Sequence, residues 1–92
     1  MRDEDFERDD RKAADNVRKH DVAFELAREA FDDPDFVATI EPDSFEDRYK
    51  RLGLRNGKIY VIVYRERGSR LRTISARPAT KHEQRQYSDG QA

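Results

Sequence analysis

The last third of the chain gathers side chains that handle phosphate and protons: Arg72, Arg77, Lys81, His82, Glu83, Arg85 and Tyr87 fall within sixteen residues. An arginine fork donates two parallel hydrogen bonds to one phosphate and stays charged at any working pH. An imidazole exchanges a proton near neutrality. Residues of these types can bind a phosphodiester and move protons around it, although no motif among them names a catalytic residue. Cysteine is absent, which excludes a thiolate metal site and a disulfide framework and suits a reducing cytosol. Two histidines alone make a weak metal site, so neither metal nor cofactor is expected.

The charge pattern supports a polyanion-facing role for this stretch. Residues 1–47 carry 17 acidic and 7 basic side chains, a net of −10, whereas residues 48–92 carry 3 acidic and 12 basic, a net of +9. Such asymmetry gives one part of a molecule for nucleic acid and another for basic partners, or lets the two halves neutralise each other in a compact fold. With 92 residues there is room for one domain, residues 1–92. Charged residues reach 42% against 35% hydrophobic, so marginal stability, or a partner that completes the fold, is expected. No apolar run approaches the roughly 20 residues of a membrane span, and the acidic start lacks a secretory signal's basic region. A soluble, cytoplasmic chain without a membrane partner is the expectation.

The elements that must position these residues follow from spacing. Phe6 in an acidic lead-in suits a short edge strand or a frayed start. Asp9 or Asp10 can cap a helix over about Arg11 to Lys19, with Ala13, Ala14 and Val17 as its apolar side. A second helix from about Ala23 to Phe31 sets Phe24, Ala27 and Phe31 on one stripe with Leu26 and Ala30 beside it, and Asp32-Asp33-Pro34 ends it. Phe36 to Ile40 reads as a strand closed by Glu41-Pro42-Asp43. Arg48 to Leu54, Asn56-Gly57 and Lys58 to Glu66 form a hairpin signature, because Asn-Gly supplies the positive φ angles of a two-residue turn. Ile59 to Tyr64 is apolar on both faces, which predicts a central strand covered on both sides by the chain's own helices or by another chain. Leu71 to Ala76 returns as the third strand of a meander. Thr80-Lys81-His82-Glu83 matches a capping box, opening a last helix to about Tyr87, with a frayed tail from Ser88. The fold class expected is α+β: a small antiparallel meander sheet packed with two N-terminal helices and one C-terminal helix.

Several blocks, taken in register, resemble the BrnT family of toxins from type II toxin-antitoxin systems. Arg72-Thr73-Ile74-Ser75-Ala76-Arg77, then Ala79-Thr80, then His82-Glu83 and Tyr87, is similar to the family's strand-then-helix signature. Asn16-Val17-Arg18-Lys19-His20 with Val22, Phe24-Glu25-Leu26-Ala27, and Phe31-Asp32-Asp33-Pro34 resemble its first half in order. Arg48-Tyr49 and Gly53 fall where it has Arg-Trp and Gly. The resemblance covers about residues 6–87. Asp21 stands where the family commonly has Gly, at a position that calls for a left-handed backbone. Arg8 and Tyr49 each replace a Trp, and Pro78 takes the place of a frequent basic residue.

The resemblance implies a RelE-like fold and a ribonuclease that arrests translation. It further implies neutralisation by a BrnA-like ribbon-helix-helix antitoxin, through which alone operator DNA would be bound, and allows a toxin dimer within the complex. Metal-independent RNA cleavage needs the 2′-OH deprotonated, the phosphorane stabilised and the departing 5′-oxygen protonated. The catalytic candidates are then Arg48 and Arg77 for phosphate, and His82, His20 and Glu25 for protons. RNA-binding candidates are Tyr49, Arg72, Lys81, Arg85 and Tyr87. Each has a plainer alternative. His82 at a helix start, where the dipole favours its neutral form, is otherwise a solvated histidine. His20 otherwise caps a helix end, and Glu25 is otherwise an exposed helix carboxylate. Glu83 is assigned to the capping box, and the tyrosines are otherwise core. Two other readings stand beside the enzyme: a noncatalytic nucleic-acid-binding module, and a subunit that only holds a partner protein.

Overall fold

The Asn-Gly turn organises the sheet. In the computed structural model, which describes residues 6–41 and 48–91, Asn56 and Gly57 both have positive φ, 51° and 78°. They join strand β3 (Arg48–Arg55) to β4 (Lys58–Arg67) in the register Tyr49↔Tyr64 through Arg55↔Lys58. A turn at Gly68, also at positive φ, leads into β5 (Arg70–Pro78), antiparallel to β4. Strand β2 (Val37–Glu41) adds antiparallel to β3, and the two-residue β1 (Phe6–Glu7) adds parallel to β5. The order is β1-β5-β4-β3-β2, a mostly antiparallel sheet in an α+β fold. The expected closure of β2 at Pro42-Asp43 lies outside the described residues, as do Met1 to Asp5 of the lead-in.

Helix α1 (Asp10–His20) and helix α2 (Phe24–Phe31) cover one face of the sheet. Asp9 caps α1 by accepting from the amides of Arg11 and Lys12. The buried side of α1 is not the expected one. Ala13 and Asn16 face inward, while Val17 is 44% exposed and Ala14 is exposed too. The reason lies in the edge of β5, which β1 pairs only at Leu71 and Arg72. Asn16 serves the unpaired stretch beyond. Its side-chain oxygen accepts from the Ala76 amide (3.0 Å), and its amide group donates to the Ala76 and Val22 carbonyls (both 2.8 Å). A polar side chain thus replaces a missing strand neighbour, since buried backbone groups must be paired. Helix α2 presses against β3 where Gly53 stands, so closely that a Cβ there would meet the Ala30 carbonyl oxygen at 2.1 Å.

On this helical face Phe24, Ala27, Ala30 and Phe31 pack with Tyr60, Ile62, Tyr64, Leu71 and Ala76. The other face carries helix α3 (Lys81–Gly90), seated on Leu52 and Val61 through Tyr87. β4 is therefore central and buried from both sides by the chain's own helices, with Val61 and Ile62 essentially inaccessible; it needs no partner chain for cover. Helix α3 also runs past the expected end at Tyr87, as far as Gly90, because Tyr87 and Gln91 anchor it to Asp33 and the Asp35 carbonyl.

Candidate functional site: the open half of the sheet face

Helix α3 covers only part of its face of the sheet. It starts beyond the end of β5 and crosses toward β2, lying over the rows that hold Val61, Leu52 and Val37. Among the described residues, no element packs over the strand ends remote from the Asn56-Gly57 turn on this side. Side chains alternate between faces along a strand, so the register fixes which ones stand there. Tyr49, Arg51, Tyr60, Ile62 and Tyr64 turn to the helices. Arg48 and Lys50 of β3 and Val63 and Arg65 of β4 turn the other way, and Arg72 of β5 sits opposite Arg65 on that same side.

A β-bulge decides where Arg77 goes. Val63 pairs with Ser75 but Tyr64 pairs with Thr73, leaving Ile74 without an opposite residue. Arg77 follows Arg72 by five positions, an odd offset, so strict alternation would put them on opposite faces. The extra residue restores Arg77 to the open side, opposite Val61. Arg48, Lys50, Arg65, Arg72 and Arg77 therefore share one face, where Glu7 pairs with Arg72 and Glu83 with Arg77 and Lys50. Like charges directly opposite, as at Arg65 and Arg72, oppose folding; Glu7 offsets part of this, with an oxygen 3.3 Å from Arg72 Nε and 3.4 Å from Arg67 Nε.

Glu83 is the centre of the arrangement. It is 5% exposed and descends from the first turn of α3 between β3 and β5. Arg77 donates to both its oxygens (2.7 and 2.8 Å), Lys50 Nζ to one (2.7 Å) and the Thr80 amide to the other (2.9 Å). The Arg77 hydrogen bonds outweigh the cost of burial and, with those from Lys50 and Thr80, hold this carboxyl far below the usual carboxylate range. The Thr80 hydroxyl accepts from the Glu83 amide, so the expected capping box is present and its carboxylate binds two cations as well.

The other expected residues divide. His82 is exposed on α3. A helix turns about 100° per residue, so His82 stands about 140° round from Tyr87, on the opposite flank to the one tied to Asp33 and the hairpin end. That flank borders the open half. Lys81 and Arg85 are each two residues from Glu83, about 160° round, and ride the outer surface of α3. Tyr87 is buried and its hydroxyl donates to Asp33 (2.5 Å). Burial and that bond push the Tyr87 hydroxyl up to about 12. Tyr49 lies on the helical face, stacked on Tyr64 with centroids 5.5 Å apart. Glu25, in the first turn of α2, pairs with Arg8 beside a cavity of about 390 Å³ on the helical side. His20 is the last residue of α1 and is half-buried. The structure thus places Arg48, Arg72 and Arg77 on one face of the sheet and Tyr49 and Glu25 on the other, with His82 exposed on α3.

Lys50 and Arg65 were not among the expected site residues, nor was the grip of Glu83 on Arg77. A signal for the first two was present: a hairpin centred on Asn56-Gly57 places Lys50 opposite Val63 and aligns Arg48 with Arg65 by counting outward from the turn.

The fold and this face define a class: a small α+β protein with a cationic, partly open sheet face bordered by its last helix. The family comparison carries the identification further. Residues 9–83 match the family described as the ribonuclease toxin, BrnT, of type II toxin-antitoxin systems, and the chain belongs to that family. It is accordingly a ribonuclease toxin, with RNA as substrate and an antitoxin as partner. The curated proteins contain no match to the chain. Among the described residues, no helix is long and apolar enough to cross a membrane.

Proposed function

We propose that the chain is an endoribonuclease that binds RNA across the open half of its sheet and cleaves it without a metal ion, arresting translation in the cytoplasm. The observation that carries this is the gathering of Arg48, Lys50, Arg65, Arg72 and Arg77 on one face. Guanidinium and ammonium groups hold the scissile phosphate and stabilise the charge that grows on it. His82 is the group we assign to proton transfer, because an imidazole can both accept and donate a proton and this one is exposed in the first turn of α3.

We further propose that the antitoxin is a ribbon-helix-helix protein of the BrnA kind. It would neutralise the toxin by covering this face, and it would carry any contact to operator DNA. A toxin dimer within that complex is compatible with the open face but is not required to bury β4. Incubating purified chain with messenger RNA in EDTA, with and without ribosomes, tests the enzymatic reading. Products ending in 2′,3′-cyclic phosphate and 5′-hydroxyl are expected. Intact RNA bound with steep salt dependence would instead select the noncatalytic nucleic-acid-binding module.

A further inference from the structure

We propose that Glu83 is a positioning residue of the ribonuclease site: its buried carboxylate draws Arg77 and Lys50 together from strands on either side of β4 and fixes them at the geometry in which they meet the scissile phosphate. The inference rests on the ribonuclease reading above and assigns Glu83 a task beyond capping.

Arg77 and Lys50 belong to β5 and β3, two strand spacings or about 10 Å apart at the backbone. Two cations on one sheet face repel, and long flexible side chains would leave them pointing into solvent. Here both end on one carboxylate, at 2.7–2.8 Å. The carboxylate itself cannot move away. Its side chain is 6% exposed, the Thr80 amide holds one oxygen, and its own amide is held by the Thr80 hydroxyl. Helix α3 is pinned at its far end by Tyr87 on Asp33. One negative charge between two positive ones leaves a net positive pair, pre-ordered. Preorganisation of this kind raises the rate of the chemical step more than it raises affinity.

The role has a signature that a simple charge on the surface does not. Glu83→Gln keeps the side-chain length and the reach of the capping box but removes the charge that gathers the cations. A face with one fewer negative charge binds RNA at least as tightly, so KM stays level or falls. Loss of positioning lowers kcat, by about 10- to 100-fold on the scale set by small misplacements of reacting groups. Asp9→Ala, which removes the cap of α1 on the opposite side of the sheet, is the control for general destabilisation and is expected to leave kcat within about threefold of wild type.

The experiment is steady-state cleavage of RNA by purified wild type, Glu83→Gln and Asp9→Ala, together with NMR relaxation of the Arg77 Nε–H in wild type and Glu83→Gln. The expected result is a fall in kcat without a rise in KM for Glu83→Gln, and an Arg77 side chain that is rigid in wild type and mobile in the variant. An unchanged kcat, or equal Arg77 mobility in both proteins, overturns the inference. Wild type that cleaves nothing overturns the ribonuclease reading instead, and the relaxation measurement still decides whether Glu83 orders Arg77.

Discussion

Asp21 holds a left-handed backbone, φ 55° and ψ 35°, at the C-terminal cap of α1, where its amide donates to the Val17 carbonyl. A Cβ is disfavoured there, and glycine is the residue that bears the conformation at least cost. Asp21→Gly is expected to raise stability by about 1 kcal/mol, read as a higher midpoint in urea; an unchanged or lower midpoint would refute the strain. Asn16 is a opposite case, a polar residue that cannot be spared. Asn16→Ala leaves the Ala76 amide and carbonyl unpaired at the β5 edge and is expected to cost about 3 kcal/mol. Tyr87 and Asp33 add a pH dependence. Folding raises the Tyr87 hydroxyl from 10.0 to about 12, so its stabilisation is full below about pH 10 and is lost as the pH rises through about 12. Burial alone would raise Asp33, but hydrogen bonds from Tyr87, Leu54 and Asp35 hold it below its usual value, so its stabilisation is present above about pH 4 and fades on acidification. Tyr87→Phe is expected to lose less stability than wild type between pH 8 and pH 11; equal losses in urea unfolding would contradict the assignment.

Element by element, the close approach of α2 to β3 is the least forgiving contact. Gly53→Ala places a methyl group against the Ala30 backbone oxygen and is expected to destabilise by about 2–3 kcal/mol. A thermal midpoint within a degree of wild type would show that α2 can lift away. The elements were largely legible in the sequence because their signals are local: Asn56-Gly57 for the hairpin, Thr80 and Glu83 for the last helix, Phe24, Ala27 and Phe31 for α2. The inward side of α1 was not, because what turns Asn16 inward is the unpaired edge of β5, sixty residues away. The site was legible in part. Arg48, Arg72 and Arg77 were marked by residue type, and Lys50 and Arg65 were recoverable from the hairpin register. The position of Arg77 depends on the bulge at Ile74, and no spacing rule announces an unpaired residue inside an apolar strand. Tyr49 and Glu25 lie across the sheet from these cations, Tyr49 stacked on Tyr64 and Glu25 paired with Arg8, which residue type alone does not show.

Over the whole molecule, the split in charge becomes a split in space. The acidic first half builds the helical cover, where Glu25 and Asp32 are matched by Arg8 and Arg28 and Glu29 by Arg55. The basic second half builds β3, β4 and β5, one face of which gathers Arg48, Lys50, Arg65, Arg72 and Arg77. RNA affinity is accordingly expected to fall with salt, with a slope of log K against log salt of about −2 to −4 for three to five phosphate contacts on a single strand. The most direct test of the account is an NMR titration of the chain with a short RNA whose 2′-hydroxyls are methylated, so that it binds without being cut. The account predicts that amide shifts cluster on Lys50, Arg65, Ser75, Arg77 and His82 and spare Glu25, Tyr49 and the rest of the helical face. Shifts confined to α1 and α2, with the open half of the sheet unmoved, would contradict it.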